Sequence, residues 1–541
     1  MRKSLVNSDY ELTQEQEAIV EKSLTGESFI VDALAGTGKT TTIKEICLAS
    51  PNKQFLYTAF NKSVVGDFKK WIAKNKISNV RAMTGDAVGR AYVHHTKYAP
   101  YDLDIGKRIS SGMRYASDIA AHFKIQPLTL KEYPDPKALK KEEVKLLKPK
   151  EVVTYVKEAI EAFCISTDAT ILPKHFDIYE PDSMALEYAN MFWEDYNDAR
   201  AGVLKLEFYA MYKIFALEAP SMKRPYDTSD PKVFDTILLD EAQDTNPVAG
   251  AQYRIQKDMQ IIYVGDPHQA IYGFRGAEDE MQKRSDLESL PLTISWRCPS
   301  EIAGFGNKTL EKLSAKNLMK GNPNSGGKVV FGLIEDPDTI VHRTNSGCLI
   351  SILHLLNIGQ RPRVDADTKK SIVSLIKSLA YFAGHANKPE TVDEELEEFE
   401  SLDEIKKALS QKKLPYRISI LLDIIEDPNR GYAGFLESIE ALNALGHKGI
   451  NIITTHKAKG LEWDSVQLAS DFFGPRWDYE NQKVIMPHKA ELRLIYVAGT
   501  RAKKVLGYTE RTRFVLMSKE EIYQELKAKA DEIRRNPEAD C

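Results

Sequence analysis

A glycine-rich segment directly after an apolar run constrains the fold of this chain more than any other feature. The segment spans Ala33 to Thr40 and reads Ala-Leu-Ala-Gly-Thr-Gly-Lys-Thr, and the apolar run before it is Phe29-Ile-Val31. This order predicts a buried strand, a tight turn and a helix that opens at Thr40. Such a turn points backbone N–H groups and the positive end of the helix at a phosphate.

We therefore expect a nucleotide at this turn, with Lys39 on its terminal phosphates and the Thr40 hydroxyl on Mg²⁺. The usual pattern has glycine at the position of Ala33, and alanine can serve there if its φ angle is negative. The predicted nucleotide-binding residues of the segment are Ala33, Leu34, Ala35, Gly36, Thr37, Gly38, Lys39, Thr40 and Thr41.

The amino-acid composition limits the classes of protein to which this chain can belong. The chain has 541 residues and a net charge of −4, with 43% hydrophobic and 28% charged residues, which predicts a globular protein of three or four domains. Because there is no global basic character, any nucleic-acid surface must be a local groove. The five scattered cysteines form no Cys-x-x-Cys motif, which argues against zinc, an iron–sulfur cluster or a disulfide framework.

Three further apolar runs carry polar residues at their ends, namely Gln54–Thr58, Thr236–Asp240 and Gln260–Asp266. Strands of this kind, buried on both faces and alternating with helices, predict a parallel α/β sheet, in which ligands lie at the carboxyl ends of the strands. Near the start of the chain, Thr13 followed by Gln16 predicts a helix-capping box.

Changes along the chain between alternating strand and helix patterns and mainly helical patterns predict its domain organisation. A first α/β core would comprise residues 1–89 and 206–285, with a mainly helical insertion at 90–205 between them. A second core would comprise residues 286–345 and 447–541, with its own helical insertion at 346–446. In the second core the apolar run from Gly449 to Thr454 predicts a buried strand.

Candidate catalytic residues follow two of the predicted strands. Asp240 is placed to hold Mg²⁺ through water, and Glu241 to act as the base or orienter for the water that attacks a γ-phosphate. Gln269 would sense that phosphate by a hydrogen bond. Acidic residues are common in loops that follow strands. The pair of Asp240 and Glu241 therefore indicates phosphate chemistry only together with Lys39 and Thr40.

Two aromatic segments have both a functional and a structural interpretation. Tyr272 and Phe274, with Arg275 beside them, would stack on exposed bases, and burial of both rings in a core is an equal alternative. Trp296 would stack on adenine while the guanidinium of Arg297 reaches a phosphate, and the alternative is simple packing with a salt bridge.

Two further residues stand at polar corners of the second core. His456 lies in the segment from Thr454 to Trp463, and taken alone it would be a structural hydrogen-bonding residue. Arg501 lies on a predicted helix, and one interpretation is that it is an ordinary surface arginine without a functional role. Delivered onto the γ-phosphate from a second domain, its guanidinium would neutralise charge in the transition state.

Taken together and in this order, these segments resemble the motifs of superfamily 1 helicases of the UvrD/Rep/PcrA group, and the resemblance covers both predicted cores. Residues 59–63 and 455–464 resemble the branch that includes the F-box DNA helicase, although no F-box segment is evident. The resemblance implies two RecA-like P-loop domains, with ATP between them and single-stranded DNA across their top.

The resemblance also implies roles for individual residues. Gln16 would read adenine, Trp296 would stack on it, and Glu462 would lie near the nucleotide. The residues placed around the phosphates are Lys39, Thr40, Asp240, Glu241, Gln269, Arg297 and Arg501. The residues placed on DNA are Thr58, Phe60, Asn61, Tyr272, Phe274, Arg343, Asn345 and His456.

The chain departs from the family pattern at four points. Residues 84–87 read Thr-Gly-Asp-Ala where the family has Thr-Phe-His-Ser. Thr41 stands where UvrD-like enzymes often place an arginine against the adenine. Phe60 is one place nearer the following Asn-Lys pair, and Phe274 replaces the more usual tryptophan, which stacks more strongly.

These observations support the hypothesis of an ATP- and Mg²⁺-dependent 3′→5′ DNA helicase and translocase in replication, repair or recombination. The polarity comes from the likeness of residues 269–277 to the UvrD group. One alternative is a translocase that displaces proteins from DNA with little unwinding, and another is a nucleotide-gated DNA-binding module. The expected partners are single strands, their duplex junctions, and single-strand-binding or recombinase proteins. With no bilayer-length apolar run, we expect no membrane, and a cytoplasmic or, in a eukaryote, nuclear location.

Overall fold

A computed structural model of the chain describes residues 3–7, 9–59, 62–132, 143–176, 179–180, 183–224, 226, 233–360, 362–397, 399–427, 432–444 and 449–535. Contacts divide the chain into two compact units. Unit 1 comprises Met1–Ala33 and Lys39–Leu292, and unit 2 comprises Leu34–Gly38 and Thr293–Cys541. None of the helices in these ranges is both long enough and apolar enough to cross a bilayer.

Unit 1 alternates strands and helices. Its strands are β1 (Phe29–Ala33), β2 (Phe55–Ala59), β3 (Val80–Thr84), β4 (Leu128–Glu132), β5 (Glu143–Leu147), β6 (Tyr179–Glu180), β7 (Thr236–Asp240), β8 (Gln260–Gly265) and β9 (Ser289–Leu292). Its helices are α1 (Gln14–Leu24), α2 (Lys39–Ala49), α3 (Lys62–Lys74), α4 (Gly85–Val93), α5 (Ile105–Ser111), α6 (Ala116–His122), α7 (Pro149–Ile165), α8 (Ser183–Asn197), α9 (Phe208–Glu218), α10 (Pro247–Arg254) and α11 (Glu280–Lys283).

The main sheet of unit 1 is parallel, in the order β3-β2-β7-β8-β1-β9. Every residue of β2, β7 and β8 is buried, because helices cover both faces of the sheet and the strands are correspondingly apolar. The predicted α/β class is confirmed. The strand predicted at Thr236–Asp240 has those bounds, and the one predicted at Gln54–Thr58 begins and ends one residue later.

The register of the sheet brings the functional segments to one edge. Asp240 at the end of β7 lies opposite Val264 of β8, and Asp32 of β1 lies opposite Gly265. The carboxyl ends of β7, β8 and β1 therefore meet side by side, where parallel α/β sheets bind their ligands.

The first insertion is built around helices α5 to α8 and includes a small antiparallel sheet, in the order β5-β4-β6, that the sequence did not predict. It is joined to the core through α4, which packs against α9. A Cβ atom at Gly89 of α4 would lie 2.8 Å from the Tyr212 Cα of α9. Glycine at this position therefore lets the two helices approach closely.

Unit 2 has a second alternating core. Its strands are β10 (Lys328–Phe331), β11 (Thr339–His342), β12 (Arg363–Val364), β13 (Asn443–Ala444), β14 (Asn451–Thr454), β15 (Trp463–Leu468), β16 (Arg476–Asp478), β17 (Lys483–Ile485) and β18 (Ala502–Tyr508). Its helices are α12 (Ser300–Lys312), α13 (Asn345–Asn357), α14 (Ala366–Phe382), α15 (Leu402–Ser410), α16 (Tyr416–Glu426), α17 (Tyr432–Glu440), α18 (Thr455–Ala458), α19 (Lys489–Gly499), α20 (Glu510–Arg513) and α21 (Lys519–Arg535).

The main sheet of unit 2 is also parallel, in the order β10-β18-β15-β11-β14-β12-β13. The strand predicted at Gly449–Thr454 is β14, which begins two residues later and is buried throughout. Strands β16 and β17 form a separate antiparallel hairpin.

Two predicted domain boundaries differ from the structure. The first core was predicted to end at residue 285, but β9 pairs with β1 and extends the first sheet to Leu292. The second insertion was predicted to begin at residue 346, but α13 packs on β11 and β14 of the core. The two-residue strands β12 and β13, within the same predicted insertion, also belong to the second sheet, and strands this short leave no hydrophobic pattern to read.

Candidate active site

The predicted phosphate-binding loop has the backbone of an anion cradle. Gly36 has a φ of 71° and Gly38 a φ of 85°, in the left-handed region that glycine adopts without strain. Helix α2 begins at Lys39, so the N–H groups of its first turn follow the loop directly. Ala33 is the last residue of β1, and its extended backbone explains why alanine is accepted there.

The loop segment Leu34–Gly38 belongs to unit 2, and hydrogen bonds within that unit hold it. The Ala35 N–H donates to the Tyr496 hydroxyl at 3.1 Å, and the Ser295 hydroxyl donates to the Ala35 carbonyl at 2.9 Å. The Trp296 N–H donates to the Gly36 carbonyl at 2.9 Å. The sequence did not predict that Ser295 and Tyr496 hold the loop, although both lie within candidate motifs.

Two carboxylates stand at the end of β7, as predicted: Asp240 is its last residue and Glu241 follows it, and both oxygens of Asp240 accept hydrogen bonds. Asp240 Oδ2 accepts a hydrogen bond from the Tyr57 hydroxyl at 2.6 Å, and Oδ1 accepts from the Glu241 N–H at 2.9 Å. Burial and the neighbouring charge of Glu241 raise the pKa of Asp240 to about 6. Burial also raises the pKa of Tyr57 well above its ordinary value, so Tyr57 stays a donor.

A chain of side chains connects the second carboxylate with the end of β8. Lys39 Nζ lies 3.5 Å from Glu241 Oε1, and Gln243 Nε2 donates to Glu241 Oε2 at 2.6 Å. Gln243 Oε1 accepts from the Asp266 N–H at 3.1 Å, and Gln269 Nε2 donates to Asp266 Oδ2 at 2.8 Å. Three predicted residues, Lys39, Glu241 and Gln269, are thereby joined through two that were not predicted.

The backbone at Glu241 is in a conformation that L-residues rarely adopt. Its φ of 54° and ψ of 43° lie in the left-handed region, which costs a residue with a side chain roughly 1–2 kcal/mol. The turn breaks the strand direction after Asp240 and lets the Glu241 side chain meet Lys39. The strain is therefore located at the residue predicted to act on the attacking water.

The residues present fit a magnesium–nucleotide complex. Thr40 is exposed in the first turn of α2, and Asp240 is buried at the end of β7, and both carry oxygen atoms of the kind that Mg²⁺ prefers as ligands. Burial first, and then the neighbouring charge of Glu241, raise the pKa of Asp240, so its ionised form is disfavoured at this edge of the sheet. A bound cation would favour the ionised form.

The residues predicted on the adenine side lie at α1 and α2. The capping box is present as predicted, since Thr13 Oγ1 accepts from the Gln16 N–H and Gln16 Oε1 accepts from the Thr13 N–H. Gln16 Nε2 donates to the Thr42 hydroxyl at 3.3 Å. Thr41 is exposed. These bonds fix the orientation of the Gln16 amide, whose contact with adenine stays a prediction.

Arg297 in unit 2 is paired with a carboxylate. Its Nε atom donates to Glu462 Oε2 at 2.6 Å, and Nη1 donates to the Thr500 carbonyl at 3.4 Å. Burial raises the pKa of Glu462, but the hydrogen bond and charge of Arg297 outweigh burial and bring it below its ordinary value. The neighbouring Trp296 is 40% exposed, and its contact with adenine stays a prediction.

Arg501 is held by backbone and hydroxyl oxygens of unit 2. Its side chain is 1% exposed, with Nε donating to the Val497 carbonyl at 2.8 Å. Nη1 donates to the Leu461 carbonyl at 3.3 Å, and Nη2 to the Thr500 hydroxyl at 3.4 Å. The interpretation as a surface arginine is therefore wrong, and the predicted role on a phosphate stays a prediction.

Comparison with known protein families decides the classification of the chain. Residues 12–286 match the UvrD/REP helicase N-terminal domain, and residues 235–510 match the UvrD-like helicase C-terminal domain. The chain belongs to the UvrD-like helicase family. The two parallel sheets are accordingly those of two RecA-like domains.

Relatives in this family are similar over most of the chain. F-box DNA helicase protein 1 of Schizosaccharomyces pombe is 27% identical over 92% of this chain and 57% of its own length. F-box DNA helicase 1 of Gallus gallus is 25% identical over 94% of this chain and 50% of its own length. DNA helicase II of Escherichia coli is 35% identical over a shorter stretch, 14% of this chain and 12% of the relative. The chain thus spans about half the length of the two F-box helicases.

Of the DNA contacts implied by the UvrD-like resemblance, those after β8 are partly at the surface. Phe274 is 70% exposed, so this ring is not a core residue, while Tyr272 is half-buried, with ring centroids 6.3 Å apart. Phe60, Asn61 and the side chain of Arg275 lie outside the described residues. Contact with bases stays a prediction for all of them.

Thr58 is the predicted DNA residue that the structure places inside the protein. Its side chain is 1% exposed, and its hydroxyl lies 3.3 Å from the Tyr253 hydroxyl. The reason is its place in β2, which lies between β3 and β7 and has both faces covered. A direct side-chain contact between Thr58 and DNA is therefore not supported by this structure.

The UvrD-like Arg-Thr-Asn segment of unit 2 is held by two acidic side chains. Arg343 Nε donates to Glu491 Oε2 at 2.8 Å, and its guanidinium lies 3.9 Å from the ring centroid of Phe473. Asp471 accepts from the N–H groups of Arg343 and Thr344 at 3.0 and 2.9 Å, and from the Thr344 hydroxyl at 2.8 Å. This carboxylate fastens the segment to the end of β15.

The surroundings of Asp471 lower its pKa. Burial acts to raise the pKa, but His342, whose Nδ1 lies 3.5 Å from Asp471 Oδ1, and the N–H and hydroxyl donors lower it to about 2. The two remaining predicted DNA residues of unit 2 are Asn345, exposed at the start of α13, and His456, half-buried in α18.

Proposed function

We propose that this chain is an ATP-dependent DNA helicase and translocase that moves 3′→5′ on single-stranded DNA in replication, repair or recombination. Support for DNA as the substrate comes from relatives named DNA helicases, among them those of yeast, chicken and Escherichia coli. Support for the polarity is the likeness of residues 269–277 to the UvrD group. The expected partners are single-strand-binding or recombinase proteins.

The observation that carries the proposed hydrolysis is the connected set of polar side chains in unit 1. Lys39, Glu241 and Gln269 are linked through Gln243 and Asp266 at the carboxyl ends of β7 and β8. A binding module without turnover needs a phosphate cradle alone. A carboxylate held by both a lysine and an amide beside that cradle is the additional equipment that hydrolysis requires.

We assign the chemical steps to residues as follows. Lys39 binds the terminal phosphates, and Glu241 orients the attacking water and accepts its proton. Gln269 reports the presence of the γ-phosphate through its hydrogen bond to Asp266. Thr40 and Asp240 would hold Mg²⁺, which supplies positive charge to the phosphate oxygens when bound. Arg297 and Arg501 would stabilise the charge that develops in the transition state, coupling hydrolysis to movement of the two RecA-like domains.

The nucleotide assignment is tested by Lys39→Ala. We expect at least a hundredfold loss of DNA-stimulated phosphate release, because a preorganised donor to the reacting phosphate is removed. Lys70→Ala is the matched control, since Lys70 is exposed and pairs only with Asp67 among the contacts seen for it. Hydrolysis at the wild-type rate in Lys39→Ala would refute the assignment.

Polarity and substrate need a separate experiment. ATPase rates with DNA and RNA single strands, followed by strand displacement on duplexes with 3′ or 5′ tails, should show DNA stimulation and unwinding from 3′ tails. Displacement of streptavidin from single strands without unwinding would favour the protein-displacing translocase instead. Unwinding from 5′ tails alone would contradict the proposed polarity.

A further inference from the structure

A buried carboxylate on α2 takes no part in the proposed chemistry and holds the segment that precedes α1. Glu45 is 1% exposed. Its Oε1 atom accepts hydrogen bonds from the Ser4 hydroxyl and, at 2.9 Å, from the Val6 N–H, and its Oε2 atom accepts from the Leu5 N–H at 2.9 Å. Three donors thus converge on one carboxylate, and bonds to a carboxylate are stronger than bonds between neutral groups.

The held segment is closed on itself and leads directly into α1. The Ser4 N–H donates to the Tyr10 carbonyl at 2.9 Å, which brings the two ends of the segment together. Leu12, 2% exposed, is buried in the same hydrophobic core as Ile43 of α2. The capping box of α1 begins at the next residue, so anchoring the segment also anchors the start of that helix.

A second contact with the same face of α2 holds Gln16. Its Nε2 atom donates to the Thr42 hydroxyl at 3.3 Å, and Thr42 stands three positions before Glu45. Residues three apart on a helix lie on the same side. Helix α2 thus holds the polypeptide before and within α1 at two neighbouring points, and both points lie in unit 1.

The orientation of the Gln16 amide decides which base it can recognise. Its Oε1 atom accepts from the Thr13 N–H at 3.1 Å, and its Nε2 atom donates to Thr42. Beyond two such bonds an amide has one further lone pair and one further N–H. These complement the amino N–H and the ring-nitrogen acceptor of adenine, whereas the corresponding edge of guanine offers two acceptors. An amide held less firmly would discriminate less between the two bases.

We propose that Glu45 is a positioning residue that sets the preference of this enzyme for adenine over guanine nucleotides. By anchoring the segment before α1, it holds the capping box and the Gln16 amide in place before the nucleotide arrives. An amide that is already ordered loses less conformational entropy on binding, so nucleotide affinity rises. This inference rests on the proposed function, since it presumes ATP at the loop before α2 and Gln16 on its base.

The test measures phosphate release from ATP and from GTP by the full chain at saturating oligo(dT). For the wild-type chain we expect kcat/KM about tenfold higher with ATP than with GTP, the size of one specific base contact. Glu45→Gln keeps the size of the side chain but turns an amide N–H towards a backbone N–H donor. The KM for ATP should rise about fivefold with kcat within about twofold of wild type, and the ATP-to-GTP ratio of kcat/KM should fall to about two.

Two further variants show whether Glu45 acts through this path. Ser4→Ala removes one of its contacts from the opposite side, and should raise the KM for ATP and lower the ATP-to-GTP ratio by about twofold. In a Gln16→Ala background, Glu45→Gln should no longer change the ratio, because the two residues act in sequence on the same contact with the base.

The matched control is Asn79→Ala. The Asn79 side chain anchors the other end of α2, because its Nδ2 atom donates to the Cys47 and Ser50 carbonyls at 3.0 and 3.1 Å. Its loss should lower thermal stability and leave the ATP-to-GTP ratio at the wild-type value. A changed ratio in Glu45→Gln but not in Asn79→Ala separates positioning of Gln16 from general loosening of α2.

The outcomes separate this inference from the proposed function. A wild-type ratio in folded Glu45→Gln, an effect undiminished in the Gln16→Ala background, or equal use of ATP and GTP by the wild-type chain would overturn the inference and leave the helicase proposal standing. No hydrolysis of ATP by the wild-type chain would overturn both. If circular dichroism shows that Glu45→Gln does not fold, Ser4→Ala decides, and an unchanged ratio in that variant overturns the inference.

Discussion

Asp240 in unit 1 and Asp471 in unit 2 both follow a central strand of a parallel sheet, yet their surroundings act in opposite directions. Asp240 is buried beside Glu241, and its pKa is raised to about 6. Asp471 lies beside His342 and accepts from N–H and hydroxyl donors, which together outweigh burial and lower its pKa to about 2. Both carboxylates accept hydrogen bonds from their own protein, but the ionised form of Asp240 is disfavoured by burial and by Glu241, and a bound cation would favour it.

The same contrast extends to their neighbours. In unit 1 the polar groups near Asp240 are linked mainly by amides, through Gln243 and Gln269. In unit 2 the arginines Arg297 and Arg343 are each paired with a carboxylate. Unit 1 also has one ion pair, between Lys39 and Glu241 at 3.5 Å, which is longer than the 2.6 and 2.8 Å pairs of Arg297 and Arg343 in unit 2. The predictions below test this difference between the charged groups of the two units.

The largest effect is expected from Glu241→Gln. The amide keeps the size of the side chain but cannot accept a proton, so kcat for DNA-stimulated ATP hydrolysis should fall by about 10²- to 10⁴-fold. Binding of a fluorescent ATP analogue should persist. Glu21→Gln, on the exposed face of α1, serves as control. A kcat within threefold of wild type would show that Glu241 is not the base.

Gln243→Ala should have an intermediate effect. It removes the link between Glu241 and Asp266, and loss of one hydrogen bond to a charged group, worth roughly 1.5–3 kcal/mol, corresponds to about a 10- to 100-fold fall in kcat. The matched control is Gln252→Ala, because Gln252 is also buried but donates to the Ala216 carbonyl. Equal kcat losses in both variants would indicate general destabilisation and not positioning.

Asn substitutions at the two aspartates should change stability in opposite directions. Asp240→Asn removes a charge that is disfavoured by burial and by the neighbouring Glu241, and should raise the free energy of unfolding of the nucleotide-free protein by about 1–3 kcal/mol. Asp471→Asn weakens the bonds to Arg343 and Thr344 and should lower it by about 1–2 kcal/mol. Thermal melts at neutral pH measure both changes. If both substitutions changed the free energy of unfolding in the same direction, the proposed contrast between the two aspartates would be wrong.

The smallest effect concerns the pH dependence of stability. The folded-state pKa of Asp471, about 2, is below its ordinary value of 3.8, so its contribution is complete above pH 4 and is lost as the pH falls towards 2. The stability difference between wild type and Asp471→Asn should therefore shrink over that range. Urea denaturation at several acidic pH values would measure it, and a constant difference would contradict the assignment.

Local features of this protein could be predicted from sequence, and long-range ones could not. The strand ending at Asp240, the capping box of Thr13 with Gln16, and the turn before Lys39 each depend on neighbouring residues. Their signals are burial periodicity, cap chemistry and glycine placement. All of these act within a few positions of the chain.

The missed features depend on pairs far apart in sequence. Tyr57 meets Asp240 across 183 positions, and Arg343 meets Glu491 across 148. A single sequence carries no sign of such pairs, because each residue type is unremarkable in its own segment. The burial of Thr58 was missed for a related reason, since its central place in the sheet depends on strand order.

The left-handed backbone of Glu241 matters for any attempt to engineer a more thermostable variant of this protein. Asparagine or glycine would suit that dihedral angle better, and either exchange would make the fold more robust. A screen that rewards survival at high temperature alone would thus favour losing the carboxylate. Variants selected for thermal stability should therefore be assayed for ATP hydrolysis at every round, because the strained backbone lies at the residue proposed to act as the base.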